Sequence, residues 1–285
     1  MSAKFGPAGN SDSFSRIHKS SLAAPRWIAD FGLDCYEYQC GKGVHVGEAT
    51  ARAVGENARR AGISLSLHAP YFINLANPDP ESLEKTIGYI TAACRVAAWM
   101  GAERVVIHSG ALMKRTRREA LDTARQSLVQ VLSACDDQGF SHIALCPETM
   151  GKINQLGDLD EVLELCTLDE RLVPCIDFGH LYARSLGADD GAEAFSRMLD
   201  RVEAVLGRAR AGRFHSHFSR IEFTPKGGEK CHRTFADHGG YGPQWEPLAA
   251  EVARRGWSPT FICESAGTQA EDALTMKQIY QGYRT

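Results

Sequence analysis

Histidine, aspartate and glutamate recur at one kind of position in this sequence, namely the end of a short apolar run. Six runs end in this way, and the side chains are His68, His108, Glu148, Asp177, His215 with His217, and Glu264. A single such residue is more often a core side chain or a helix cap than a ligand. Six together are not explained in that way, and imidazole with carboxylate is the ligand chemistry of Zn²⁺, Mn²⁺ and Fe²⁺. The pattern predicts a divalent-metal centre.

The number of ligand-type residues indicates more than one metal ion. Four groups satisfy one divalent ion, and they are Glu148, Asp177, a histidine at 215 or 217, and Glu264. The spacing favours His215 without excluding His217, because both lie on the same face of one strand. His68, His108, His180 and His232 then remain. This surplus predicts a cluster of two or three metals, which suits phosphoryl transfer. A sugar isomerase needs only one ion and two carboxylates.

The elements that bring these residues together are eight short β-rich runs separated by helical stretches. The runs begin near Lys4, Cys35, Ser64, Arg104, Ile143, Val173, Arg213 and Thr260. Several helical stretches end in a capping glycine, such as Gly101 and Gly139. Strands alternating with helices predict a parallel sheet, and eight units predict an α/β fold, a (β/α)₈ TIM barrel, as a single domain over residues 1–285. The active site of such a barrel lies at the C-terminal ends of its strands.

Composition and charge narrow the class of protein. The sequence has no apolar run long enough to span a membrane, and its start lacks the features of a secretory signal, so we expect a cytoplasmic protein. The nine cysteines form no CxxC pair and are expected to be reduced thiols. A net charge of −3 is unusual for a nucleic-acid binder. Bound metals would add positive charge, and five cations are expected at the barrel mouth, namely Lys152, Arg220, Lys226, Lys230 and Arg233.

Five motifs carry a resemblance to a known family. "HAPYFINLANPDP", "VVIHSG", "PETMGKINQLGDLDEV", "IDFGHLYA" and the late "CES" resemble, in this order, the endonuclease IV family of apurinic/apyrimidinic endonucleases, a branch of the xylose isomerase-like TIM barrels. The resemblance covers residues 63 to the C-terminus. It implies a barrel with zinc ions that incises damaged double-stranded DNA on the 5′ side of an abasic site, in base excision repair. It also implies a monomer.

The resemblance assigns a role to each candidate residue. His68 and His108 are expected to hold a first metal, and Glu148 bridges it to a second. Asp177, His215 and Glu264 complete the second site, and His180 and His232 belong to a third. Glu148 and Glu264 are the residues counted as catalytic. In the family, the loop after the first histidine inserts an aromatic and an apolar side chain into the base stack, and Tyr71 and Phe72 stand at those positions, with Asn74 in the same DNA-binding loop.

Three features depart from the family pattern. The third-metal motif has an aspartate two residues before its histidine, whereas Lys230 stands there and Glu229 lies one step further back as the candidate ligand. "FGPAGN" lacks the family's early histidine, and "YEYQCGKGVHVGE" does not match its second DNA-contacting loop. The alternative is a sugar isomerase or epimerase of the same superfamily, with Glu148 and Glu264 moving a proton. The surplus histidines and the "PYFINLA" loop favour the endonuclease.

Overall fold

The fold is known from a computed structural model, which describes residues 2–284. These residues contain strands β1 (Lys4–Pro7), β2 (Cys35–Gln39), β3 (Ser64–His68), β4 (Arg104–His108), β5 (Ala144–Glu148), β6 (Cys175–Asp177), β7 (His215–Phe218), β8 (Arg220–Thr224), β9 (Gly228–Arg233) and β10 (Thr260–Cys263). The helices are α1 (Asp12–Ile17), α2 (Ala24–Asp30), α3 (Glu48–Ala61), α4 (Pro80–Met100), α5 (Arg117–Asp137), α6 (Leu159–Cys166), α7 (Phe178–Arg184), α8 (Gly191–Leu206), α9 (Arg208–Ala211), α10 (Trp245–Arg255) and α11 (Gln269–Gly282).

Eight of the strands form a parallel barrel in the order β1-β10-β7-β6-β5-β4-β3-β2. The predicted TIM barrel is therefore confirmed, and each of the eight predicted runs contributes one strand. The strands are buried on both faces because helices cover the outside, as Val105, Val106 and Ile107 of β4 illustrate. On one side, Phe5 of β1, Phe261 of β10 and Trp245 of α10 pack ring against ring in the layer between sheet and helices.

The barrel closes where β1 meets β2. Ala8 bridges Glu37, and the Gly9 amide donates to the Glu37 carbonyl at 2.9 Å. Gly6 lies against the backbone of Cys35 at this seam, and a Cβ at position 6 would stand 1.8 Å from the Cys35 carbonyl oxygen. A side chain at position 6 would therefore force the seam apart.

The hairpin β8–β9 was not predicted. It occupies part of the 219–244 segment, whose pattern gave no clear period and indicated only a long functional loop. The hairpin follows β7 directly at the mouth of the barrel, where Ile221 is buried and its amide donates to the Gly242 carbonyl. Side chains on β9 therefore lie above the C-terminal ends of the barrel strands.

No helix within residues 2–284 has the length and apolar character needed to cross a membrane.

Replacing Gly6 with alanine is expected to destabilise the protein by about 3 kcal/mol or more, because the new methyl group meets backbone that cannot move without opening the seam. The control is Gly88→Ala on an exposed turn of α4, where an added Cβ meets nothing within 4 Å. That change should stabilise the helix by about 0.5–1 kcal/mol. Urea unfolding followed by circular dichroism measures both. Equal stabilities for Gly6→Ala and the wild type would contradict the closed seam.

Candidate metal centre

Glu148 lies at the centre of the site, at the end of β5, and only 1% of it is exposed. Its Oε2 is 3.3 Å from Nε2 of His68 and 3.3 Å from Nε2 of His108. Its Oε1 is 3.0 Å from Nδ1 of His217 and 3.5 Å from Nδ1 of His180. One oxygen therefore faces two histidines, and the other faces His217 and lies beside the His180 ring, whose Nδ1 is 2.8 Å from the Thr149 carbonyl oxygen. This is the arrangement expected of a ligand shared between two metal ions.

A second group of ligand atoms lies on the Oε1 side of Glu148. One ligand atom from each of Glu148, Asp177, His217 and Glu264 lies within 4.8 Å of the others. Asp177 caps α7 by accepting the His180 amide at its Oδ1, at 2.8 Å. Its Oδ2 is buried and has no hydrogen-bond partner among residues 2–284. Buried acceptors are almost always satisfied, so this oxygen fits a bound cation.

The structure corrects the choice between the two histidines of β7. His217, and not His215, stands beside Glu148 and Glu264. Both side chains point into the barrel, but His217 is level with Asp177 of the neighbouring strand, whereas His215 is level with Cys175, one layer deeper. A metal ligand must lie at the same depth in the barrel as the ligands at the ends of the other strands. The register between β6 and β7 decides which of the two histidines lies at that depth.

His180, Glu229 and His232 form a third group. Glu229 Oε2 is 3.5 Å from His180 Nε2, and Glu229 Oε1 is 3.9 Å from His232 Nε2. The register of the hairpin explains how Glu229 reaches this position. Glu222 pairs with Cys231 and Phe223 pairs with Glu229, so Lys230 is an extra residue in β9. Because side chains alternate along a strand, residues three apart normally face opposite ways, and one extra residue returns Glu229 and His232 to the same face.

Each of three histidines directs one ring nitrogen into the centre and the other to a partner. His68 Nδ1 is 2.7 Å from the Ala69 carbonyl oxygen, and His180 Nδ1 is 2.8 Å from that of Thr149. His232 Nδ1 is 2.7 Å from Ser219 Oγ. The Nε2 atoms of these three rings face carboxylates. Partners of this kind fix the tautomer of metal-binding histidines, so the donor set fits divalent cations.

The buried carboxylates dominate the electrostatics. Burial lowers the pKa of His180, but the carboxylates of Asp177 and Glu229 more than offset it and raise the pKa to about 9. Burial lowers the pKa of His217 as well, but the carboxylates Glu264, Glu37 and Glu148 around it raise this pKa well above its usual value. Burial raises the pKa of Glu264. Protons are thus held tightly in a site with excess negative charge, which is the condition that favours a divalent cation.

Glu37 is a member of the site that the sequence analysis missed. It lies in the middle of β2, fully buried, with Oε2 at 2.9 Å from His215 Nε2 and Oε1 at 2.9 Å from His217 Nε2. Burial raises its pKa, but His217 and His215 lower it well below the usual range, so Glu37 is ionised. The signal that the sequence did carry is an acidic residue at an inward-facing position of a strand, although Glu37 lies in none of the motifs described above.

The predicted DNA-binding loop lies at the edge of the centre. Tyr71 and Phe72 are 54% and 51% exposed, and the Tyr71 ring stacks on His108 with the ring centroids 5.6 Å apart. Phe72 packs edge-on against Tyr89 of α4. Asn74 differs from them, because its Oδ1 accepts the amides of Ala76 and Ala111. The structure therefore places Asn74 as an anchor between two loops.

The predicted cations at the mouth are only partly unpaired. Lys230 and Arg233 both pair with Glu222. Arg220 donates to the Phe235 carbonyl and lies over the Phe235 ring. Lys152 and Lys226 have no carboxylate partner among the described residues, and the bridge between Lys152 and Gly228 places them on neighbouring loops.

Deleting Lys230 is expected to remove one bound metal ion per chain, because loss of the extra residue turns Glu229 away from His232. Lys230→Ala is the matched control, since it keeps the bulge and removes only the side chain beyond Cβ. Metal content after dialysis against a defined Zn²⁺ buffer, measured by inductively coupled plasma mass spectrometry, separates the two. Unchanged metal content in the deletion variant would show that Glu229 is not a ligand.

His217→Ala is also expected to lose one metal equivalent in the same measurement, because it removes the only imidazole of the group that contains Asp177 and Glu264. The control is His142→Ala, an exposed histidine just before β5, at the opposite end of the barrel. A full metal complement in His217→Ala would contradict the correction from His215 to His217.

The sequence relatives match different shares of the chain. An uncharacterized protein of Methanocaldococcus jannaschii is 32% identical over 250 residues, covering 88% of both chains. A probable endonuclease 4 of Mycoplasma pneumoniae is 30% identical over 146 residues, covering 50% of this chain and 48% of its own. Another, from Nitratidesulfovibrio vulgaris, is 26% identical and covers 68% of both chains.

Solved structures of two kinds share the fold. Endonuclease IV from Thermus thermophilus superimposes with a TM-score of 0.67 at 17% identity, over 92% of this chain and 93% of that chain. A D-tagatose 3-epimerase-like protein superimposes with a TM-score of 0.69 at 19% identity, over 98% and 96%. The family model described as "Xylose isomerase-like TIM barrel" matches residues 25–279. The chain therefore belongs to the xylose isomerase-like TIM barrel family.

Proposed function

We propose that this protein is a metal-dependent abasic-site endonuclease of the endonuclease IV type, which hydrolyses the DNA phosphodiester 5′ to an apurinic/apyrimidinic site in base excision repair. The observation that carries the proposal is the position of Glu148, which faces His68 and His108 with one oxygen and His217 with the other. A single-metal sugar isomerase or epimerase does not need His68 and His108 as ligands at the second oxygen of this carboxylate. Phosphodiester hydrolysis does, because two or three ions share the charge of the transition state.

When bound, divalent ions supply Lewis acidity and a nucleophile at neutral pH, and Zn²⁺ suits this donor set, with Mn²⁺ or Fe²⁺ as alternatives. The residues of the chain hold the centre rigid. Glu148 joins the first two ligand groups. Glu264 faces the second and third groups, with Oε1 at 3.5 Å from His217 Nδ1 and Oε2 at 3.9 Å from His232 Nδ1. Backbone carbonyls and Ser219 fix the rings, so little reorganisation accompanies the reaction.

The side chains at the mouth of the barrel fit a large and flat substrate. Exposed apolar side chains project from three neighbouring loops, with Tyr71 and Phe72 after β3, Met113 after β4 and Ile153 after β5. Exposed apolar groups that lie together mark interaction surfaces. Tyr71 and Phe72 in particular can enter the base stack of a duplex at little cost where a base is missing. We therefore infer that the partner is double-stranded DNA with an abasic site, bound by one monomer of the enzyme.

The alternative is a sugar epimerase, and one observation favours it. The group of Glu148, Asp177, His217 and Glu264 is sufficient by itself to hold one ion beside two carboxylates. Epimerization of a ketose would then use Glu148 and Glu264 as the proton-transfer pair, without the aromatic loop.

The deciding experiment uses an end-labelled duplex that contains one tetrahydrofuran abasic analogue, which cannot undergo β-elimination. Wild-type protein loaded with Zn²⁺ is expected to incise it immediately 5′ to the analogue. Glu264→Gln should abolish incision, because it removes a charge that faces two ligand groups. Glu246→Gln, an exposed change on α10, should be fully active. If no metal restores incision and the protein interconverts ketoses at their third carbon, the epimerase is correct.

Tyr71→Ala combined with Phe72→Ala is expected to lower kcat/KM for the abasic duplex by about 30-fold or more, because each lost ring removes about 1–3 kcal/mol of stacking on a base. Metal content should not change. Tyr283→Ala is the matched control, since this ring is 49% exposed and lies beyond the end of α11, away from the mouth. Steady-state incision kinetics measure the effect, and an unchanged kcat/KM would exclude a wedge role for the loop.

A further inference from the structure

Glu37 is a buried carboxylate directly beneath the metal centre, and none of the roles described above requires it. Its Oε2 accepts from Ser66 Oγ at 2.9 Å and lies 2.9 Å from His215 Nε2. Its Oε1 lies 2.9 Å from His217 Nε2 and 3.2 Å from Gln39 Nε2. An ionised carboxylate without solvent contact is costly unless donors surround it, and here donors lie on both oxygens.

Arg104 settles which nitrogen of His215 carries the proton. Its guanidinium lies 3.4 Å from His215 Nδ1 and has only donors to offer, so this nitrogen accepts. The proton of a neutral His215 is therefore on Nε2, and it is donated to Glu37 Oε2. Ser66 donates to the same oxygen, so Oε1, which accepts from Gln39, is the oxygen that faces His217.

His217 Nε2 lacks an aligned hydrogen-bond partner among the described residues, and Glu37 Oε1 at 2.9 Å is the acceptor that a small rotation of the ring reaches. On the opposite side of the ring, Nδ1 is 3.0 Å from Glu148 and 3.5 Å from Glu264. A proton held on Nε2 by Glu37 leaves the Nδ1 lone pair directed at the ligand group.

We propose that Glu37 is a positioning residue that fixes the orientation and tautomer of His217, so that this histidine binds metal through Nδ1. The other rings follow the same scheme with weaker partners, since His68 and His180 use backbone carbonyls and His232 uses a hydroxyl. His217 is the ring with a carboxylate in this place, and a carboxylate raises the basicity of the ligand most. The proposal requires the metal centre, but it holds for a nuclease and for an epimerase alike.

The first test is metal affinity, measured without DNA. Metal-stripped protein competes with a chelator of known affinity for Zn²⁺ or Co²⁺. Glu37→Gln is isosteric but offers one acceptor to two ring N–H groups, so we expect the ion held by His217 to bind about 10- to 100-fold more weakly. The d–d absorption of bound Co²⁺ should shift as well. Glu161→Gln is the control, because Glu161 is also buried but pairs with Arg117 on the outer layer.

These measurements distinguish a role of Glu37 in positioning His217 from a role in the stability of the fold. A purely structural role would lower the unfolding temperature of Glu37→Gln and leave the metal affinity and Co²⁺ spectrum of the folded protein unchanged, and that result would overturn the proposal.

The second test uses the wild-type chain, so it does not depend on the folding of a variant. Protein labelled with ¹⁵N-histidine and loaded with Zn²⁺ is examined by long-range ¹H–¹⁵N correlation. The His217 signals, assigned by their absence in His217→Gln, should show a protonated Nε2 and a metal-bound Nδ1. Metal bound at Nε2 would refute the role of Glu37. Absence of nuclease activity would not affect either test, so failure of the proposed reaction and failure of this inference remain separate.

Discussion

The centre depends on one buried carboxylate held between histidines from opposite sides. Glu148 occupies this place because β5 pairs with β4 in a register that sets His108 beside it, and with β6 in a register that sets Cys175 beside it. A shift of one residue would turn the side chain out of the barrel. The ligand groups on either side share Glu148, so their geometry is coupled, and the rigidity of the parallel sheet is what maintains it.

Below Glu148, the interior of the barrel is polar where apolar layers are the rule. Arg104, His215, Glu37 and His217 follow one another from the N-terminal end of the strands to the metal centre. Burial of such groups is unfavourable unless each is paired. They are paired mainly with one another, so each group offsets the free-energy cost of burying the next. These groups orient His217 and do not stabilise the fold. The stability of the fold comes from the apolar layer between strands and helices.

Much of this was predictable from the sequence, and the failures have physical causes. Strand ends could be predicted because apolar β-rich runs stop where a histidine or acid begins. The depth of each side chain within the barrel could not be predicted, because His215 and His217 share a face of β7 and only the register with β6 separates them. The bulge at Lys230 has no signature in composition, although Glu229 was still a candidate ligand. Asn74 was predicted in the DNA-binding loop, and the sequence did not show that its carboxamide oxygen also accepts the amides of Ala76 and Ala111 and so joins two loops.

The choice between the two reactions follows from what each substrate requires of the protein surface. A small sugar is bound by enclosing most of its area, which needs a mouth that can close over it. A duplex is too large to enclose and is met by side chains that extend outward. Tyr71 illustrates the difference, because its ring rests on His108 and on Gly41 while about half of it faces solvent. A ring that packs against His108 and Gly41 yet is left exposed loses little conformational entropy when a stacked base covers it. This favours the nucleic acid over the sugar.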